Sequence, residues 1–172
     1  MSPFIVVPGP WSAADLRYQA EHFVTQKMMN VGFNYIATQV LVMAGGWNLA
    51  DRFVEQIHTV IEQQPARASY YPGSQERRVR ITKHLSAITV GLSAVGHIRD
   101  LDPGQDHTAF KEEFFAAAFA STRLPLSDPG DFLDAAVDFS NERLEGSLGR
   151  SSLPTPERLP HSVPDLRSRS HG

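Results

Sequence analysis

The chain of 172 residues contains no cysteine. Without a thiol it can form no disulfide, no thiolate metal site and no thiol nucleophile. We therefore predict that any reaction that needs a cysteine cannot be carried out by this chain alone.

A large excess of one charge and a long apolar run are also lacking. Sixteen basic and nineteen acidic side chains give a net charge of -3, which predicts no general attraction to nucleic acid or to an anionic membrane. The longest apolar stretches, such as residues 4–7, are far too short to cross a bilayer. The first residues lack the basic and apolar regions of a secretory signal. We expect a soluble cytoplasmic protein.

Several motifs of known chemistry are absent as well. The sequence has neither of the glycine-rich phosphate-binding patterns, and it has no Gly-x-Ser-x-Gly nucleophile motif. Its seven histidines include no His-x-His and no His-x-x-x-His pair. We predict no metal site from local spacing, and only a pairing of distant histidines could build one.

One basic cluster consists of Arg77, Arg78, Arg80 and Lys83. A run of this kind is typical of a solvated surface, and we favour that interpretation. A phosphate-binding patch is the alternative.

The first 63 residues show a regular alternation of elements. Residues 4–7 form an apolar run that predicts a buried strand, and residues 36–43 predict a second. Ser12 can cap a helix that reaches about residue 30, with Gly32 as a left-handed stop. One face of that helix would carry Leu16, Ala20, Phe23, Val24, Lys27 and Met28. A second helix is predicted over residues 48–63.

The remaining elements have weaker patterns. We predict a basic helix over residues 76–86, strands over 87–95 and 116–124, and an amphipathic helix from Asp131. Residues 151–172 hold many prolines, serines and arginines without an apolar period, which predicts a disordered tail. The fold class is therefore α/β with a mostly parallel sheet over residues 1–150, followed by that tail.

Two places carry candidate reactive groups. Tyr35 lies between a helix and a strand, in a loop that we place at the carboxyl edge of the sheet, where reacting groups are common. Tyr35 could donate a proton there or only fill space, and we favour the second. Glu112 and Glu113 are adjacent in sequence, so they should point apart and cannot share one site.

The order of these segments resembles the catalytic domain of the aldehyde dehydrogenase superfamily. Five matching segments carry the resemblance: residues 2–7, beginning Ser-Pro; residues 14–16, Ala-Asp-Leu; residues 32–35 with the strand after them; residues 112–115, Glu-Glu-Phe-Phe; and residues 141–149. The resemblance implies a partial three-layer α/β domain, and the stretch around Tyr-Tyr-Pro-Gly suggests an actinobacterial-type branch of the family.

The resemblance also implies a specific chemistry and specific losses. The family oxidises aldehydes to acids with NAD or NADP, using the cysteine of a Gly-Gln-x-Cys loop as nucleophile. Tyr35 occupies that position here. A phenol is far less ionised than a thiol at pH 7 and is a weaker nucleophile. The family's general-base glutamate and its dinucleotide-binding domain would precede Met1, so we expect both to be missing.

Two cofactor contacts are implied by the same resemblance. Glu113 matches the family's glutamate that binds the nicotinamide ribose, and Phe115 matches the phenylalanine two positions on. The alternatives are a solvated acid for Glu113 and a core aromatic for Phe115. The family's cofactor is NAD or NADP, but without the dinucleotide-binding domain we do not expect this chain to retain it.

Three functions remain open at this point. We favour an inactive aldehyde-dehydrogenase-like polypeptide that represents a truncated piece of the catalytic domain. The second is a pseudoenzyme that docks, through exposed core faces, on a full-length dehydrogenase or on another copy of itself. The third is a split enzyme completed by a separate cofactor domain. The sequence determines neither the ancestral aldehyde nor the choice between NAD and NADP.

Overall fold

The computed structural model describes residues 1–83, 86–145 and 151–153. These residues form six strands and five α-helices. In chain order they are β1 (Ser2–Val6), α1 (Ala13–Met28), β2 (Thr38–Ala44), α2 (Ala50–Glu62), α3 (Ser74–Thr82), β3 (Ala87–Val90), β4 (Val95–Leu101), α4 (Thr108–Lys111), β5 (Ala118–Leu124), α5 (Pro129–Glu142) and β6 (Ser151–Leu153).

Helix α1 follows the sequence pattern closely. Ser12 and Asp15 form a capping box, in which each side chain binds the other residue's backbone N–H. The six residues predicted on its apolar face are its buried residues. A 3-10 turn over Met29–Gly32 ends the helix, and Gly32 has the predicted left-handed backbone, with φ of 80°.

The strands form one sheet in the order β3-β4-β5-β2-β1-β6. Pairing is parallel everywhere except between β3 and β4. Across the sheet, the chain moves in one direction from β1 to β2 and from β2 to β4. It moves in the opposite direction from β5 to β6. Right-handed crossovers therefore place α1 and α2 on one face and α5 on the opposite face, and α1 packs against α2. The predicted α/β class with a mostly parallel sheet is confirmed.

The core lies on both sides of the central strands. Every residue of β1 and β2 is buried, including Phe4 and Leu41, which have no exposed surface. Phe23 from α1 meets Phe4 and Phe119 edge-on, with ring centroids 5.2 and 5.0 Å apart. The prediction that core faces would be left exposed is therefore wrong for these strands, because helices cover both faces.

The predicted strand over residues 87–95 is wrong in detail. This segment is an antiparallel hairpin, in which β3 turns through residues 91–94 into β4. Gly91 has φ of 67°, and a Cβ there would lie 3.0 Å from the carbonyl oxygen of Ile61. Gly91 and Ser93, which interrupt the apolar pattern, thus lie in the turn. A glycine is suited to this place because it allows the left-handed conformation and the close approach to α2.

The predicted tail begins with three residues that the structure describes as a strand. Ser151–Leu153 form β6 and pair in parallel with β1, so the boundary at residue 151 differs from the prediction. The rest of the predicted tail lies outside the described residues. Within the described part of the chain, no helix is long and apolar enough to span a membrane.

Gly32 gives a stability test of this backbone. We expect Gly32→Ala to reduce the free energy of unfolding by about 2–3 kcal/mol, because it places a side chain in a left-handed conformation and against a carbonyl. A Cβ at Gly32 would lie 2.3 Å from the oxygen of Ala116. Urea denaturation followed by circular dichroism measures the difference.

Gly73→Ala is the matched control, because Gly73 has φ of 74° and a Cβ added there would meet nothing within 4 Å. It should cost only the backbone strain, on the order of 1 kcal/mol. Equal losses in both variants would show that contact with Ala116 is not what requires a glycine at position 32.

Candidate functional site

The candidate residues gather at the edge of the sheet where the parallel strands begin. Tyr35 precedes β2, Met1 precedes β1, and Glu113 lies in the segment that leads into β5. The placement of Tyr35 at the carboxyl edge is therefore wrong. In a parallel sheet, a loop that runs from a helix into the next strand reaches that strand's amino end, and the opposite edge receives the loops that leave the strands.

Tyr35 lies on the surface of this edge. Its side chain is 60% exposed. Its backbone carbonyl accepts a long hydrogen bond of 3.4 Å from the Ser2 hydroxyl, whereas no described residue binds its phenol hydroxyl. Tyr35 thus neither fills a core position, as the favoured interpretation had it, nor has a partner that could take its proton.

Glu113 is held in place by two donors. One carboxylate oxygen accepts a hydrogen bond from the Gln39 side-chain amide, and the other pairs with the ammonium group of Met1. Glu112 points elsewhere and pairs with Arg80 at 3.3 Å, so the two adjacent acids diverge as predicted. Glu113 is not a solvated acid, because its side chain is only 24% exposed.

Gln39 connects two strands at this edge. It is fully buried at the second position of β2, and its side-chain oxygen accepts a hydrogen bond of 2.9 Å from the backbone N–H of Phe114. One side chain therefore fixes both the carboxylate of Glu113 and the backbone that follows it. Sequence reasoning missed this role, although a glutamine at the start of an otherwise apolar strand is a usable signal, since a buried amide needs partners.

Phe115 and Phe114 have different environments. Phe115 is partly exposed and has a left-handed backbone, with φ of 41°, whereas Phe114 is fully buried. The core aromatic at this edge is therefore Phe114. A carboxylate can accept about four hydrogen bonds, so Glu113, which has two donors and is 24% exposed, keeps acceptor capacity. The predicted cofactor contacts of Glu113 and Phe115 stay predictions.

Lys27 is the most unusual ionisable group near the site. Its side chain is fully buried, and within the described part of the chain its Nζ atom has no hydrogen-bond partner. The ammonium lies 5.9 Å from the centre of the Phe114 ring. Burial lowers the pKa of Lys27 to about 7, although the charge of Glu113 opposes this shift. The structure therefore places an amine that is near its titration midpoint at neutral pH close to Gly32, since a Cβ added there would lie 3.2 Å from the Lys27 Cε atom.

An aromatic cluster packs against the outer side of the segment between α1 and β2. Tyr70 stacks on Tyr71 and Tyr71 on Phe33, with ring centroids 4.5 and 4.4 Å apart. The Tyr70 hydroxyl donates to the side-chain oxygen of Asn30 at 2.5 Å, and the amide of Asn30 donates to the Tyr71 hydroxyl at 3.2 Å. These contacts help to stabilise the left-handed backbone of Asn30, which has φ of 54°.

Two distant histidines do meet, but without forming a metal site. His58 on α2 and His97 on β4 share a hydrogen bond of 2.8 Å, and His97 is also 2.9 Å from the Ser121 hydroxyl. Burial lowers the pKa of His97 to about 3, so the ring is neutral at pH 7. Among the described residues, no group of three potential ligands is placed to hold a metal ion.

The topology and the edge geometry can be compared with known proteins. A salicylaldehyde dehydrogenase from Pseudomonas putida G7, solved with salicylaldehyde, matches 91% of this chain with a TM-score of 0.69 and 16% identity. The gamma-glutamyl-gamma-aminobutyraldehyde dehydrogenase from Burkholderia cenocepacia J2315 matches 90% with a TM-score of 0.68 and 17% identity. The chain has the fold of aldehyde dehydrogenases. The predicted likeness to their catalytic domain is therefore confirmed.

The match to aldehyde dehydrogenases covers only part of those proteins. This chain spans 34% of the salicylaldehyde dehydrogenase and 33% of the aminobutyraldehyde dehydrogenase. A third solved structure is an NADP-dependent glyceraldehyde-3-phosphate dehydrogenase from Bacillus halodurans C-125 with NADP, of which this chain spans 39%. That match covers 92% of the present chain, with a TM-score of 0.61 and 16% identity. No protein-family model matches the sequence, and no curated protein matches it significantly. At such low identity the likeness establishes the fold alone.

The buried amine of Lys27 predicts an unusual pH dependence. The folded-state pKa is about 7 against an ordinary 10.5, so the unfolded chain binds more protons between these values. The free energy of unfolding should therefore rise with pH from 7 to about 10, by up to ~5 kcal/mol. The Lys27→Met variant should lose most of that rise and should be more stable than the original chain at pH 7. Urea denaturation at a series of pH values measures both.

Lys111→Met provides the comparison, because Lys111 is 39% exposed and pairs with Glu145 at 3.0 Å. That variant should keep the full rise. The same slope in all three proteins would mean that a group other than Lys27 causes it.

Proposed function

We propose that this protein derives from an NAD(P)-dependent aldehyde dehydrogenase and does not itself oxidise aldehydes. The fold supports the origin, since the solved structures that it resembles include dehydrogenases named for salicylaldehyde and for an aminobutyraldehyde. One observation carries the second half of the proposal: the loop position that holds the nucleophilic cysteine in the family is Tyr35 here, and the whole chain lacks cysteine.

The surroundings of Tyr35 support the loss of covalent catalysis. A weak nucleophile needs an adjacent base, a metal or a strongly altered environment to react. The Tyr35 side chain is 60% exposed, and within the described residues no side chain binds its hydroxyl. The phenol is therefore open to solvent and is activated by no described residue, and a thiohemiacetal cannot form without a sulfur atom.

The surroundings of Glu113 support the absence of cofactor binding by this chain alone. Gln39 and the Met1 ammonium occupy its two carboxylate oxygens. A carboxylate accepts about four hydrogen bonds, so a ribose need not displace Gln39. It would, however, have to reach a side chain of which only 24% is exposed.

Purified protein incubated with NAD or NADP and a panel of aldehydes should reduce no cofactor above the blank. Absorbance at the wavelength of the reduced nicotinamide measures this, and an intact aldehyde dehydrogenase in the same assay serves as the positive control. Cofactor reduction that is abolished in a Glu113→Ala variant would overturn the proposal.

Restoring the thiol tests whether the loop retains any activating environment. Tyr35→Cys and Tyr18→Cys place a cysteine at sites that are 60% and 67% exposed in the original chain. We expect both thiols to react with iodoacetamide at rates within about twofold of each other, because no described residue binds the hydroxyl of either tyrosine. A much faster reaction at position 35 alone would show that the loop still lowers the pKa of a thiol.

Docking on a full-length dehydrogenase is the second candidate function, and the edge strand β3 favours it. In the described sheet, β3 pairs only with β4, so its outer backbone groups are available for another strand. Co-purification with a full-length aldehyde dehydrogenase is the expected outcome under this proposal. A chain that remains a monodisperse monomer beside such a dehydrogenase would contradict it.

A further inference from the structure

A cavity lies on the surface beside the loop that carries Tyr35. Its volume is about 390 Å³, and it opens between residues 66–69, the start of α3 and the turn that joins β3 to β4. Two arginines, Arg67 and Arg78, line it together with several hydroxyl-bearing side chains, and none of the described residues that line it is acidic. The volume is within the usual range for small-molecule sites.

The two arginines are positioned differently. The guanidinium of Arg78 donates a hydrogen bond of 2.7 Å to the carbonyl of Ala94, which fixes its plane beside the cavity. The backbone N–H of Arg67 donates to the Ser93 hydroxyl at 3.0 Å, and that hydroxyl also donates to the carbonyl of Pro65. Both arginines are therefore anchored to the same β3–β4 turn, Arg67 through its backbone. The exposed side chain of Arg67 also lines a neighbouring cavity that contains Glu21, and it has no hydrogen-bond partner among the described residues.

The first turn of α3 adds donors to the same cavity. Its N-cap residue, Gly73, has no side chain with which to accept a hydrogen bond from the helix. Ser74, the first helical residue, is only 9% exposed and lines the cavity, and its hydroxyl makes no hydrogen bond with any described residue. The Ser74 N–H donates to the carbonyl of Tyr71 at 3.3 Å, which leaves the next two backbone amides of the uncapped helix as donors that favour an anion. Ser74 is only 9% exposed, and its hydroxyl, which has no partner among the described residues, is separate evidence that points to a ligand.

We propose that this cavity binds the phosphate group of a small molecule, between the guanidinium groups of Arg67 and Arg78 and the Ser74 hydroxyl. Two guanidinium groups and a helix start supply many N–H donors and positive charge, which suits an anion with several oxygens. A hydroxyl adds a further donor. This proposal does not depend on the loss of dehydrogenase activity.

The structure also separates this site from the basic cluster seen in the sequence. Of Arg77, Arg78, Arg80 and Lys83, only Arg78 lines the cavity. Arg80 points away and pairs with Glu112 at 3.3 Å, with 65% of its side chain exposed. The second cavity arginine, Arg67, is ten residues away in sequence from the start of that cluster. Arg80 is therefore a solvated surface residue, whereas Arg78 belongs to the proposed phosphate site.

Isothermal titration of the full chain with phenyl phosphate, at constant ionic strength maintained with chloride, tests the proposal. Benzoate and inorganic phosphate are titrated in parallel. We expect saturable binding of phenyl phosphate and of inorganic phosphate, and weaker binding of benzoate. Arg67→Gln and Arg78→Gln should each weaken phosphate binding about tenfold, whereas Arg80→Gln on the same helix should change it less than about twofold.

The variants also distinguish binding from folding. Arg78→Gln removes the contact with Ala94, so its circular dichroism spectrum is compared with that of the original chain. Arg67→Gln removes only a side chain without described partners, and its result stands even where the Arg78 variant unfolds. Equal weakening in the Arg67 and Arg80 variants, absence of saturable binding, or benzoate binding as tight as that of phenyl phosphate would overturn the proposal.

Discussion

The parallel pairing of β2 with β1 on one side and with β5 on the other is the constraint from which the candidate site follows. Because the three strands run in the same direction, their amino ends lie side by side. Three segments that are far apart in sequence therefore meet at one edge of the sheet. They lead into β1, β2 and β5 and end at Met1, Ala37 and Ala117. Gln39 links two of these segments, since its side-chain amide binds both the Glu113 carboxylate and the backbone of Phe114.

Polar groups in this edge are costly unless they are satisfied, and the chain treats them in different ways. Glu113 has two donors, whereas the Nζ atom of Lys27 on the adjacent helix has no hydrogen-bond partner among the described residues. This edge therefore holds a partly exposed carboxylate with two donors and a buried amine whose charge is disfavoured. A hydrogen-bonded chain through His58, His97 and Ser121 shows the alternative, in which buried polar side chains on three elements satisfy one another.

Local patterns predicted several elements well, for identifiable reasons. The apolar spacing of α1 predicted all six of its buried residues, including Lys27, because a helix must bury one continuous stripe. The hairpin of β3 and β4 was predicted as one strand, because its four-residue turn contains only one glycine. For the site, Tyr35 was placed at the wrong edge, and Gln39 was overlooked. The predicted order of helix, loop and parallel strand already puts Tyr35 at the amino edge, whereas the partners of Gln39 depend on strand pairing, which no local pattern contains.

The sequence by itself determined that no thiol chemistry is available, and it determined the order of strands and helices that identifies the fold. Both are properties of composition and local periodicity, which do not depend on distant contacts. Only the tertiary structure decided which charged groups act together. Arg67 and Arg78 face one cavity while Arg80 pairs with Glu112 elsewhere, since the side of a helix on which a residue lies and the loop that packs against it are set by long-range packing.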